Sequence, residues 1–142
     1  MSKFEQEFTV ASLDFAAAGQ ASSQIKKLLQ LVGYQPLEIR RASIAAYEME
    51  MNMVIHGNGG ILRVNLGPAA IELTAQDKGP GIPDIDLAMQ EGYSTAPPNI
   101  REMGFGAGMG LPNIKRCTDF IEIKSEIGKG TTVRVVINAS QQ

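Results

Sequence analysis

The chain has 142 residues and a mass of 15.3 kDa, the length of a single ordinary domain of roughly 100–200 residues. Hydrophobic residues make up 44% and charged residues 20%, a globular usage that excludes disordered and fibrous classes. Thirteen basic against fifteen acidic side chains leave a net charge of −2, which argues against nucleic acid or a polybasic membrane surface as partner.

Phe4, Phe8 and Val10 share one parity and Glu5, Glu7 and Thr9 the other, which predicts an opening half-buried strand. From about Asp14 to Val32 the set Ala18, Ala21, Ile25, Leu28, Leu29 and Val32 has helical spacing, with Gly33 placed as a C-terminal cap. Pro36 suits the first turn of a second helix running through Ile39, Ile44, Tyr47, Met51 and Ile55 to a stop at Gly57. Leu62/Val64/Leu66 and Ile71/Leu73/Ala75 alternate on either side of Gly67-Pro68-Ala69, an antiparallel hairpin. A short helix is expected over 84–91, then a Gly/Pro-rich loop over 92–110, then a helix with Leu111, Ile114 and Cys117 on one face. Two strands, Phe120–Lys124 and Thr131–Ile137, close the chain around the Gly128-Lys129-Gly130 turn. This order predicts an α/β two-layer sandwich, a mixed, mostly antiparallel sheet with helices on one face.

Glycine is the compositional outlier. Only Gly19 and Gly33 fall in the first 56 residues; the other thirteen of the 15 lie between Gly57 and Gly130, where ligand loops are therefore expected. A lone Cys117 permits no internal disulfide and makes a reducing cytoplasm the default. No apolar run approaches the roughly 18–20 residues of a membrane span.

Three features carry chemistry. Glu48, Asn52 and His56 recur at i, i+4 and i+8 along one side of a helix, whereas Glu50 points nearly the opposite way. Asp77 ends its strand with the parity of Ile71, Leu73 and Ala75, so its carboxylate faces the helices. A carboxylate there needs hydrogen-bond donors. The turn Lys78-Gly79-Pro80-Gly81-Ile82-Pro83 follows at once, so Asp77 suits either a ligand's exocyclic amine or a turn cap. Gly104-Phe105-Gly106-Ala107-Gly108-Met109-Gly110-Leu111 then runs into a helix; its exposed N–H groups and the helix N-terminus suit phosphate, although a flexible loop has the same composition. Neither a P-loop nor a strand-linked G-x-G-x-x-G motif is present, and protein-kinase H-R-D and D-F-G signatures are absent.

In this order and at these intervals, Glu48-x-x-x-Asn52-x-x-x-His56-Gly57, Asp77-x-Gly79-x-Gly81, Gly106-x-Gly108-x-Gly110-Leu111 and Gly128-Lys129-Gly130-Thr131-Thr132 resemble the motif series of the GHKL ATPase superfamily. Within it, Asp77–Asp84, Glu91-Gly92-Tyr93-Ser94-Thr95 and Gly108–Arg116 are most similar to small bacterial anti-sigma-factor serine/threonine kinases, of the stressosome switch-kinase type. The likeness extends from about Asp14 to Ile137. It implies ATP and Mg²⁺ as cofactors, with Asn52 as the metal ligand and Glu48 as the base that orients and deprotonates the attacking hydroxyl. It further implies that Asp77 accepts from the adenine amino group, that Gly81 lets the base lie close beside Gly79, that Gly106, Gly108 and Gly110 cradle the phosphates, and that Thr131 supports the adenine end.

The sequence departs from that pattern in its longer Pro97–Met103 segment, a fuller lid or a different partner surface, and in Met49, Glu50, Met51 and Met53 around Asn52. The methionines and Cys117 read as core, and Lys115 and Arg116 as a solvated face. His56 is a packed helix-end histidine or a group near the phosphates, and is not assigned to catalysis.

The expectation is one cytoplasmic domain over 1–142 with an ATP lid at about 92–110. It would phosphorylate a serine or threonine of an anti-sigma-antagonist-like or stressosome-like scaffold protein and bind a second regulatory protein, with the exposed sheet edge a candidate for homodimer formation. Neither a transducer domain nor a histidine kinase's phosphoacceptor helices are expected within these 142 residues. The alternatives are an ATP-gated binding module with little phosphoryl transfer and a free-standing ATP hydrolase.

Overall fold

The computed structural model describes residues 4–11, 14, 16–56, 58–82, 84–90 and 110–139. Five strands form one sheet: β1 (Phe4–Val10), β2 (Gly60–Leu66), β3 (Ala70–Asp77), β4 (Phe120–Glu126) and β5 (Gly130–Asn138), in spatial order β1-β2-β3-β5-β4. All four pairings are antiparallel, the antiparallel end of the mixed sheet expected from the sequence. Register puts Phe8 opposite Leu62, Leu62 opposite Ala75, and Leu73 opposite Val135. One face of the sheet is therefore a continuous apolar layer, with Leu62, Val64, Leu66, Ile71, Leu73, Val135 and Ile137 all buried. Alternate residues on the other face pair in charge, Arg63 with Glu7 and Arg134 with Glu72.

The helices cover the apolar face: α1 (Gln20–Val32), α2 (Pro36–Ile55), the single turn α3 (Ile85–Ala88) and α4 (Gly110–Cys117). Helix α2 is the centre of that layer. Its buried set includes Ile39, Ala42, Ala45, Ala46, Met49, Met53 and Val54, and it packs against α1, α4 and the sheet. Alanines at three of these positions let the neighbouring helices approach closely, and the three methionines at 49, 51 and 53 are all buried, as expected. Its start is fixed locally: Pro36 occupies the first turn, and the Gln35 N–H donates to the Glu38 carboxylate at 2.9 Å.

The last two strands run one or two residues beyond their expected ends, and two helix boundaries differ from expectation. Helix α1 begins at Gln20 rather than near Asp14, because Gly19 adopts φ +94°, a left-handed conformation that cannot continue a helix backwards. Its other end is as expected, with left-handed Gly33 donating its N–H to the Leu29 carbonyl at 3.1 Å. Helix α3 is shorter than the expected 84–91: Asp84 caps it by accepting from Leu87 N–H at 3.0 Å, and it ends at Ala88. The lid expected over 92–110 lies outside the described residues, except for Gly110.

Candidate active site

Glu48 and Asn52 of α2 meet the first turn of α4, and Asp77, at the end of β3, lies beside His56 at the end of α2. Asp77, half-buried, fixes the far end. Its Oδ1 accepts two backbone N–H groups, from Gly79 at 2.9 Å and from Thr131 at 3.1 Å. The turn-cap expectation for this residue is met: it accepts from Gly79 within its own turn. Burial raises the Asp77 carboxyl above its ordinary value of 3.8, opposed by the two N–H donors and by nearby His56. The same burial lowers His56 below its ordinary 6.5, opposed by the Asp77 charge. His56 is the residue that ends α2, half-buried beside Asp77.

Thr131 is buried and contributes its backbone to Asp77, while its hydroxyl shares a 2.8 Å hydrogen bond with Ser125. Ser125 also accepts the Ile82 N–H at 2.6 Å, so it ties the 78–82 turn to the β4–β5 hairpin. Sequence reasoning missed Ser125. The signal was there: a serine at an inward position of β4, in phase with Ile121 and Ile123. Gly81 sits in that turn at φ +85°, and a Cβ on it would fall 2.6 Å from the Glu126 carbonyl oxygen. The close approach that Gly81 permits in this structure is to the Glu126–Ile127 backbone.

At the other end, α4 runs antiparallel along α2. Asn52 lies against the first residue of α4: a Cβ on Gly110 would fall 2.9 Å from the Asn52 Oδ1, so only glycine leaves this oxygen clear. One turn back, the half-buried Glu48 accepts a 3.0 Å hydrogen bond at Oε2 from the Asn113 side-chain amide. Further along, Arg41 of α2 donates to the Cys117 carbonyl at 3.1 Å and pairs with Asp119 at 3.1 Å, which pins the C-terminal end of α4. These contacts bring Glu48, Asn52 and the N-terminus of α4 into one site. Gly106 and Gly108 lie outside the described residues.

Glu50 turns away from this site, as its spacing required, and proves to be a structural anchor. It is only 3% exposed, and its carboxylate accepts from Gly19, Ser22 and Ala21 N–H groups at 3.0, 2.9 and 3.3 Å. It thereby satisfies the N-terminus of α1 from the middle of α2.

The arrangement sets one half-buried carboxylate and one amide oxygen of α2 against the first turn of α4, and a second carboxylate at the end of β3. Among the described residues no group of three His, Cys, Asp or Glu could hold a metal.

Solved structures share the fold. A structure of the RsbU and RsbW domains of a Mycobacterium tuberculosis protein superposes with a TM-score of 0.60 at 17% identity, over 100% of this chain and 34% of that one. The mycobacterial sensor histidine kinase MprB gives 0.54 at 15% identity, covering 98% and 100%. Among curated proteins, the serine/threonine-protein kinase RsbT of Bacillus subtilis is 30% identical over 127 residues, 87% of each chain. The anti-sigma F factor of Geobacillus stearothermophilus is 33% identical over 102 residues, 68% of this chain and 66% of that protein. The family model for histidine kinase-, DNA gyrase B- and HSP90-like ATPases matches residues 39–141, which contain Glu48, Asn52, Asp77, Gly110 and Thr131. The chain belongs to the histidine kinase-, DNA gyrase B- and HSP90-like ATPase family.

Proposed function

We propose that this chain is an ATP-dependent serine/threonine protein kinase of a partner-switching system, one ATP-binding domain over 1–142, that phosphorylates an antagonist or scaffold protein and binds a second regulatory protein. The observation that carries this reading is the half-buried Glu48 carboxylate, one helical turn before Asn52, with both facing the start of α4. The names of the kinase and anti-sigma relatives support it.

The residues present fit Mg·ATP. Asp77 would accept from the adenine amino group through Oδ2, while Oδ1 is held by Gly79 and Thr131. The N-terminus of α4 would offer backbone N–H groups and partial positive charge to phosphates, with Gly106, Gly108 and Gly110 as the expected cradle. Asn52 would hold Mg²⁺, which when bound neutralises charge on the phosphates. Glu48 takes the proton of the acceptor hydroxyl as that oxygen attacks, and Oε1 is the oxygen left to do so. Phosphoryl transfer is mainly positioning and charge stabilisation, so this small set suffices.

The chain should be used as bait in extract of its own host with and without Mg·ATP, with phosphosites mapped on the proteins that bind. A new phosphoserine or phosphothreonine on a bound protein, formed only when both chain and Mg·ATP are present, is expected. ATP-dependent binding without any phosphosite would overturn the kinase reading in favour of an ATP-gated binding module. The strands β1 and β4 are the two sheet edges, where a homodimer would pair.

A further inference from the structure

We infer that Asn113 is a positioning residue for Glu48, held in its working orientation by Arg116; this rests on Glu48 being the base of the proposed transfer. A glutamate carboxylate at the end of three rotatable bonds samples several directions, and one fixed donor removes most of them. The Asn113 Nδ2 is that donor, 3.0 Å from Oε2. It sits in the first turn of α4, three residues after the glycine that packs on Asn52, so the element that meets the phosphates also sets the base.

An asparagine amide can turn either face to a carboxylate, and only its NH₂ face binds. Arg116 resolves the choice. Its guanidinium donates to Asn113 Oδ1 at 3.0 Å, which commits the oxygen to Arg116 and leaves the NH₂ for Glu48. Turning the amide over would set donor against donor on one side and oxygen against carboxylate on the other. Helix α4 itself is fixed against α2 at both ends, at Gly110 on Asn52 and at Cys117 on Arg41. The donor therefore reaches Glu48 from a rigid support. Arg116 is exposed and had read as solvated surface; its place in this relay gives it a second task.

The test uses the full chain, γ-labelled ATP and host extract as the source of acceptor protein, with a fluorescent ATP analogue to measure nucleotide affinity. Asn113→Leu, similar in volume but without a donor, should lower the labelling rate about tenfold or more, within the range of general-base effects, while analogue affinity and unfolding midpoint stay near wild type. Asn113→Gln, which keeps the amide on a longer arm, should recover part of the rate, and Asn113→Asp should be at least as slow as Asn113→Leu. Arg116→Ala should give a smaller loss, about threefold. Glu48→Gln separates the two levels. If it labels at the wild-type rate, or if wild type labels nothing, the base reading fails and the positioning role with it. If Glu48→Gln is silent while Asn113→Leu runs at or above the wild-type rate, or loses rate only in proportion to nucleotide affinity, the positioning role alone is overturned.

Discussion

At Asp77 the burial that makes a carboxylate selective also makes it costly to ionise. Two backbone donors hold one oxygen, and an adenine amino group would satisfy the other. Asp77→Asn can still accept both N–H groups through its carbonyl but presents an NH₂ where the ligand's donor must fit. It should lose roughly tenfold or more in ATP affinity, the scale of a hydrogen bond to a charged group, and should narrow the preference for ATP over GTP in a competition assay. Unchanged selectivity would remove Asp77 from base recognition. The same residue shapes the response to acid. Because burial raises its pKa, the folded state takes up a proton before the unfolded state does, so Asp77 adds stability as pH falls toward its unfolded value of 3.8. His56 works in the opposite sense: lowered below 6.5, it binds protons more readily unfolded and so removes stability as pH falls through that window. Urea unfolding of Asp77→Asn should therefore lose stability more steeply from pH 7 to pH 5 than wild type does; equal slopes would contradict this coupling. The inward direction of Asp77 was legible from strand parity. Its partner Thr131 as a backbone donor was not, because that contact is made across 54 residues of sequence.

Among the elements, α2 organises the rest. Its polar side holds Glu48 and Asn52, and its buried side holds α1 through Glu50. Glu50→Ala would leave three N–H groups at the start of α1 without their acceptor, two of those bonds being buried, a cost of about 3 kcal/mol, or a fall in unfolding midpoint of roughly 10 °C for a chain of this size. Glu50→Gln keeps an acceptor and should lose less. A thermal scan in which Glu50→Ala melts with wild type would contradict the anchor. The order of the nine elements among the described residues was readable from periods of 2 and 3.6 and from Gly33, Pro36 and the Gly67-Pro68-Ala69 turn. The start of α1 was not readable, since it depends on a left-handed Gly19 and on a carboxylate from another helix. Asn113 was hidden for a related reason: α4 looked like an amphipathic helix, and its contact with Glu48 exists only once α2 and α4 lie antiparallel.

For the molecule as a whole, the sheet is a platform and the proposed ligand site lies along one end of the helical layer. A ligand bound as proposed would link α2, α4, β3 and β5, so Mg·ATP should stabilise the fold; at a hundredfold excess over its dissociation constant the gain is about 2.7 kcal/mol. Asn52→Ala should abolish the metal-dependent part of that gain while leaving the shift produced by metal-free nucleotide largely intact. Equal losses with and without Mg²⁺ would show that Asn52 is no ligand. No helix among the described residues is long and apolar enough to cross a membrane. The fold and the positions of Glu48, Asn52 and Asp77 followed from pattern and motif, whereas the bonds that hold them in place required the folded chain. Transfer itself is tested most directly by comparing wild type with Glu48→Gln, measuring Mg·ATP affinity and label transferred to a serine or threonine of the bound partner. Affinity within about threefold of wild type with transfer reduced by 10²-fold or more is the expected result; transfer at the wild-type rate would contradict the assignment of Glu48 as the base.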